Sequence, residues 1–244
     1  DSLDKALSRL PADAGKLVVV DGVYSMGGDI APLPQLVEIC KRYGARIMVD
    51  DAHSLGVLAG GRGTAAHFGL TDDVDLIMGT FSKSFASIGG FIAGDADVLH
   101  FIQHHARALM FSASLPAPNA AAVLAALEIM ETEPQHVERL WENARYMLAG
   151  LHRLGYDTGS SETPIIPLLI RDDYRTVLAW HALVEEGVYT NPVVPPGVPP
   201  NMSLLRTSYM ASHTKEHLDR ALVGLETVGH NLDLIPTGAT LQTV

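Results

Sequence analysis

The sequence is poor in cysteine, in basic residues and in uninterrupted apolar runs. Its one cysteine, Cys40, rules out an intramolecular disulfide framework and fits a reducing compartment. The neighbours Leu36-Val37-Glu38-Ile39 mark Cys40 as a small core residue rather than a nucleophile. Lys plus Arg number 17 against 28 Asp plus Glu, a formal net charge of −11. A phosphate backbone demands a concentrated basic surface, so the composition argues against nucleic acid as a partner. The most apolar stretch, residues 115–130, contains Pro116 and Pro118 and falls short of the roughly 18 apolar residues a membrane span needs. The opening residues do not read as a basic, apolar, small-residue leader, and no low-complexity segment or internal repeat is visible. The expectation is a soluble, cytoplasmic α/β protein. Its 244 residues suffice for one large domain or two modest ones.

What is present is an alternation of strand and helix signals. Residues 16–21 are a β-branched run that predicts a strand buried on both faces. Asp29 ahead of Pro32 predicts a helix start, with Leu33, Leu36, Val37, Cys40 and Tyr43 at helical spacing and Gly44 at its end. Further strands are expected at 46–50, 74–79 and 90–94. This rhythm predicts a mostly parallel sheet flanked by helices. After about residue 115 the pattern changes to long helices at 116–130 and 135–154. Strands near 165–170, 188–194 and 203–208 follow, with helices at 174–186 and 214–232, as in a smaller α+β domain. The proline-rich stretch 195–200 predicts a stiff loop. The chain opens almost directly into a strand with no first βαβ unit, which would leave an unpaired edge, so a further N-terminal portion of the sheet is expected.

Two short motifs end two of the apolar runs. Asp50-Asp51-Ala52-His53 follows residues 46–49, and Thr80-Phe81-Ser82-Lys83 follows residues 74–79. Both fall at the carboxyl ends of expected strands, the edge where open α/β sheets bind ligands. An acid, an imidazole, two hydroxyls and an amine are the groups needed to hold a pyridinium ring, a phosphate and an aldehyde, and so point to pyridoxal phosphate (PLP). A lysine that forms a Schiff base must be partly desolvated, and Phe81, Phe85 and Ile88 are expected to supply that environment for Lys83. Thr80 and Ser82 read either as phosphate donors or as ordinary turn residues. A carboxylate beside a pyridine nitrogen keeps it protonated, and the protonated ring is the electron sink for carbanion chemistry. Asp50, last in its strand, is placed for this, whereas Asp51 points the other way. His53 is within reach of the ring oxygen. Ser25, in the loop 24–29, is either a further donor there or a turn serine. Asp and His also ligate metals, but no second cluster with ligand spacing accompanies them, and His104-His105 reads as a solvated helix face, so no metal is expected. Arg206 ends an apolar run. Its burial would require an anionic partner, either a structural carboxylate or that of a substrate.

The motifs, in their order, resemble the α-oxoamine synthases, PLP enzymes of the aspartate-aminotransferase fold type I. The resemblance is carried by residues 21–33, from Asp21-Gly22-Val23-Tyr24-Ser25 to Pro32-Leu33, by Val49-Asp50-Asp51-Ala52-His53-Ser54-Leu55-Gly56 and by Gly61-Arg62-Gly63. It continues through Gly79-Thr80-Phe81-Ser82-Lys83, Phe111-Ser112-Ala113-Ser114-Leu115-Pro116 and Leu205-Arg206-Thr207. It implies an α/β PLP-transferase fold whose large domain, without its N-terminal part, ends near residue 130, with a small α+β domain over 131–244. Lys83 would hold PLP as an imine and later move protons, with Asp50 at the ring nitrogen and His53 and Ser25 at the ring oxygen. Thr80 and Ser82 would contact the phosphate, Ser112 or Ser114 the phosphate of a dimer partner, and Arg206 the substrate carboxylate. The implied reaction is a decarboxylating condensation of an amino acid with an acyl thioester of coenzyme A or a carrier protein, in a homodimer with shared sites. The segments 79–84 and 185–191 and the proline-rich loop resemble serine-using bacterial members with long acyl donors, a role in sphingolipid synthesis. Glycine- or alanine-using members, an aminotransferase on the same fold and a non-catalytic partner subunit are the competing readings.

Overall fold

A computed structural model describes residues 2–241. They divide into two compact units. One holds Ile30–Pro134 with the chain up to Tyr24, and the other holds Gln135 onward with the short segment Ser25–Asp29.

The first unit is built on a four-stranded sheet. After α1 (Ser2–Leu7), β1 (Leu17–Asp21) carries three consecutive valines, which suit an extended pleat. Pro34 sits in the first turn of α2 (Leu33–Arg42), where a missing N–H costs nothing. Leu33, Val37 and Cys40 form the buried stripe of α2, and Lys41 and Arg42 occupy its last turn, where the helix dipole favours cations. Gly44, at φ +61°, turns the chain back into β2 (Arg46–Asp50). There follow α3 (Thr64–His67), β3 (Leu76–Thr80), β4 (Gly90–Gly94), α4 (Ala96–His105), α5 (Arg107–Met110) and α6 (Ala117–Thr132).

The strand order is β1-β2-β3-β4. The first three run parallel, with Asp21 opposite Asp50 and Asp50 opposite Met78. The strand expected at 90–94 is present but antiparallel, with Thr80 opposite Gly90. Residues 81–89 are too short a link for a parallel crossover, which takes a dozen residues or more. Val18, Ile47 and Val49 pack with Leu33, Val37 and the buried Cys40 into one core. Among the described residues β1 is covered on one face: Val18 lies in the core, whereas Leu17 and Val19, on the opposite face, are each 57% exposed.

Gly22, directly after β1, shows how tightly the carboxyl edge is packed. A Cβ there would lie 2.2 Å from Thr64 Oγ1 and 2.3 Å from Asp51 Oδ1. Gly22→Ala is therefore expected to destabilise the fold by about 1–3 kcal/mol, the usual cost of overpacking, read as a lowered urea midpoint. An unchanged midpoint would contradict the packing described.

The second unit contains α7 (Gln135–Arg153), β5 (Ile165–Leu169), α8 (Asp173–Glu185), β6 (Asn191–Val193), β7 (Leu204–Ser208) and α9 (Lys215–Asn231). Its sheet is antiparallel in the order β5-β7-β6. Ala144, Met147, Gly150 and Leu151 form the buried face of α7, and Gly150 lets α9 approach so closely that a Cβ would meet Leu222 at 2.6 Å. Met147, Leu151, Ile166, Leu168, Leu183, Leu205, Leu222 and Leu225 fill the core. The Asp172 side chain caps α8 by accepting from Arg175 N, and Thr214 with His217 forms a capping box on α9. Among the described residues no helix is long and apolar enough to cross a membrane.

Candidate active site

The carboxyl ends of β1, β2 and β3 present Asp21, Asp50 and Thr80. Asp50 is half-buried, and its Oδ1 accepts from Ala52 N at 2.9 Å, which turns the chain sharply away from the strand. Asp51 points the other way and is fully buried. Its carboxylate accepts from Ser54 Oγ at 2.5 Å and from Thr64 N at 3.1 Å, pinning two loops against the strand end. His53 lies half-buried in the turn between these anchors.

Burial pushes the Asp51 carboxyl above its ordinary value, against donors from Ser54 and Thr64 that pull it down, while the charge of Asp50 adds to the rise. Above the ordinary value of 3.8 the folded chain thus keeps a proton that the unfolded chain has lost. Stability attributable to Asp51 therefore falls as pH rises from there through the raised value. Asp51→Asn is expected to flatten this part of the slope, measured as urea midpoints between about pH 4 and about pH 7. A variant slope identical to that of the parent would refute it.

Thr80, Ser82 and Lys83 lie in the link between β3 and β4. The Thr80 and Ser82 hydroxyls are 3.0 Å apart, and Thr80 Oγ1 also donates to Gly89 O at 3.3 Å. Phe81 N donates to Gly89 O, Ser87 N to Phe81 O and Ala86 N to Lys83 O, so the link is held by its own backbone. Ser84 Oγ donates to Leu55 O at 2.7 Å and thereby ties the lysine segment to the loop after His53. Among the described residues the Lys83 side chain is exposed, and its aromatic neighbours do not cover it. The rings explain why. Phe81 packs edge-on against the buried Phe85 and at a shallow tilt against Phe91 of β4, so the aromatic surface is taken up within the hairpin. Ile88, 56% exposed, faces outward as Lys83 does.

Asp21 was not singled out by the sequence, yet it belongs to this cluster. Burial, and then the charge of Asp50, raises its carboxyl, while the positive charge of Lys83 pulls it down. The signal was available: each of two parallel strands ends in aspartate, and in-register pairing sets the two side by side.

The structure thus brings Asp50, Thr80, Ser82 and Lys83 to one edge, with Asp21 added and His53 on the adjoining turn. Ser112 and Ser114 are exposed on the extended segment between α5 and α6 and form no hydrogen bond with a described residue. The neighbouring Leu115 reaches Gly89, at 3.2 Å from where a Cβ would stand. Ser25 and Arg206 belong to the other unit, where Arg206 Nε donates to Ser25 O at 2.6 Å. The anionic partner expected for Arg206 is replaced by that backbone carbonyl. No carboxylate of the described residues pairs with Arg206, and burial lowers the pKa of its guanidinium. Among the described residues no group of three or more His, Cys, Asp or Glu side chains is placed to hold a metal ion.

Residues 1–225 match the family model for aminotransferase class I and II. The chain belongs to that family. Within it, the chain is 53% identical over 223 residues to a serine palmitoyltransferase of Sphingobacterium spiritivorum, covering 91% of this chain and 56% of that protein. It is 46% identical over 221 residues to an 8-amino-7-oxononanoate synthase of Symbiobacterium thermophilum, covering 90% of this chain and 56% of that one. Both relatives are α-oxoamine synthases. A solved structure of SPT with PLP internal aldimine matches at a TM-score of 0.92 and 37% identity, over 96% of this chain and 59% of that one. This family member has the α/β PLP-transferase fold, with its mixed, mostly parallel sheet, and spans a little over half the length of the relatives it matches.

Proposed function

We propose that this chain is part of a PLP-dependent α-oxoamine synthase that condenses L-serine with a long-chain acyl thioester, with loss of carbon dioxide, to a 3-ketoamine. The observation that carries this reading is the set of groups gathered at the carboxyl edge of β1–β3, in a chain 53% identical to a serine palmitoyltransferase. The donor set fits the cofactor. Asp50 offers an anion to a ring nitrogen, the Thr80 and Ser82 hydroxyls bond mainly one another and are available to a phosphate, and the exposed Lys83 amine is accessible to an aldehyde. When bound, PLP supplies the electron sink for breaking bonds at the amino acid's α-carbon.

The chain's own residues then have separable tasks. With PLP bound, Lys83 would hold its aldehyde and move the proton at the amino acid's α-carbon. Asp50 would keep the ring nitrogen protonated, and His53 and Ser25 would hold the ring oxygen. Thr80 and Ser82 bind the phosphate, with Ser112 or Ser114 serving that of a second subunit in a cytoplasmic homodimer. Arg206 orients the substrate carboxylate. In this reading the first unit is the C-terminal part of the large domain, to about residue 130, and 131–244 form the small domain.

Arg206→Lys tests the last assignment. It retains the charge and loses the planar fork, and the KM for the amino acid is expected to rise about tenfold or more with a smaller change in kcat. Because no described carboxylate pairs with Arg206, the substitution strands no buried anion, and the urea midpoint is expected to stay near that of the parent. An unchanged KM would remove Arg206 from the substrate site.

The 46% identity to an 8-amino-7-oxononanoate synthase favours one second reading, a synthase using glycine or alanine. Full-length protein offered serine, glycine and alanine with a series of acyl thioesters separates the two. Thiol release with serine supports the first reading, and serine failing with every donor overturns it.

A further inference from the structure

We propose that the second unit carries an additional binding site for an organic anion, a phosphate or carboxylate headgroup on an apolar body, in the cavity beside β7 and the start of α9. The cavity measures about 460 Å³, within the range of small-molecule sites. It opens where β6 stops: Asn191 pairs with Arg206, and beyond that point no strand of the described residues lies beside that edge of β7.

Four basic side chains reach its wall, Arg206, Arg220, His213 and His217, in a chain whose net charge is −11. Among the described residues neither arginine is ion-paired, and Glu186 is the one carboxylate lining the cavity. The two imidazoles are oriented from behind. His213 Nδ1 accepts from Met210 N at 3.3 Å, and His217 Nδ1 accepts from Thr214 N at 3.2 Å. With Nδ1 occupied as an acceptor, each neutral ring carries its proton on Nε2, so both rings serve as donors whether neutral or charged. Burial, and then the neighbouring His217, pushes the His213 imidazole down, a crowding of like charge that a bound anion relieves. Thr190 adds a second, independent sign: its hydroxyl is buried at the cavity wall without a hydrogen-bond partner. Val188, Leu218 and Leu225 supply apolar surface behind these groups, which suits a ligand with an apolar body rather than a bare ion. Arg206 lines this cavity and also carries the proposed substrate contact, so it is left unaltered in the test.

The experiment is calorimetric titration of the full-length protein, already saturated with PLP, with phenyl phosphate, phenylacetate and benzyl alcohol. At least one of the two anions is expected to bind, with the neutral alcohol tenfold weaker or worse. Arg220→Gln and His217→Gln, both exposed positions in α9, are each expected to weaken that anion about tenfold. Binding of phenyl phosphate alone assigns a phosphate headgroup, and binding of phenylacetate alone a carboxylate. The proposal is overturned if neither anion exceeds the alcohol, or if both variants bind the anion as the parent does. The visible cofactor band is read in the same samples. Its absence alongside anion binding that responds to Arg220→Gln would overturn the cofactor assignment while leaving this site in place.

Discussion

Lys83→Ala is expected to abolish the visible absorbance of the bound cofactor and to lower condensation by at least about a thousandfold. The size follows from how little can replace the amine. The chain has four other lysines, and none stands at the carboxyl edge of the first sheet: Lys5 is in α1, Lys16 precedes β1 at its opposite end, Lys41 pairs with Asp73, and Lys215 begins α9 in the other unit. The exposure of Lys83 among the described residues also makes the experiment clean. The Lys83 side chain packs into no core, so the variant is expected to keep the parent's urea midpoint. Loss of absorbance at unchanged stability then reports chemistry rather than folding. A band that persists in the variant would remove Lys83 from the cofactor and with it the centre of the functional reading.

The second large effect is expected from Asp50→Asn. An anion beside a protonated pyridine raises the nitrogen's pKa by about 1–3 units, and each unit is worth about 1.4 kcal/mol. Removing that charge should therefore slow α-proton loss by roughly tenfold to a thousandfold. Asp21 sits opposite Asp50 in register and lies within its electrostatic reach, so part of the negative field survives the single substitution. Asp21→Asn alone is expected to be mild, and the double variant slower than Asp50→Asn by more than that mild effect, which rates of α-proton exchange measure. Additive losses would show that Asp21 does not share the task.

Much of the fold was legible because each signal is local. The valine run of β1, the stripe Leu33, Val37 and Cys40, and the motifs ending β2 and β3 all depend on residues within a few positions of one another. What could not be read there depends on partners distant in sequence or on direction. Residues 90–94 read equally well as a parallel or an antiparallel strand, and the short link settles it only once both ends are fixed. The bond from Arg206 to Ser25 O joins residues 181 positions apart. Both strands visibly end in aspartate, but that Asp21 and Asp50 stand side by side follows only from the register of two strands separated by a helix. Lys83 was expected among aromatic rings that lie close in sequence, but those rings prefer one another.

The antiparallel return of β4 also bears on the order in which function is acquired as the chain folds. Closing a short hairpin costs little loop entropy and takes place on the microsecond scale, whereas joining segments far apart in sequence costs more and comes later. Lys83, with the hydroxyls of Thr80 and Ser82, lies inside one such hairpin, bracketed by Thr80 and Gly90. The group proposed to capture the aldehyde can therefore acquire its local shape early in folding. Arg206 gains its place only when Ser25 and β7 meet across most of the chain. Mutations that slow folding should accordingly delay the placing of Arg206 far more than the shaping of the lysine loop, so the two ends of the proposed site would mature at different times.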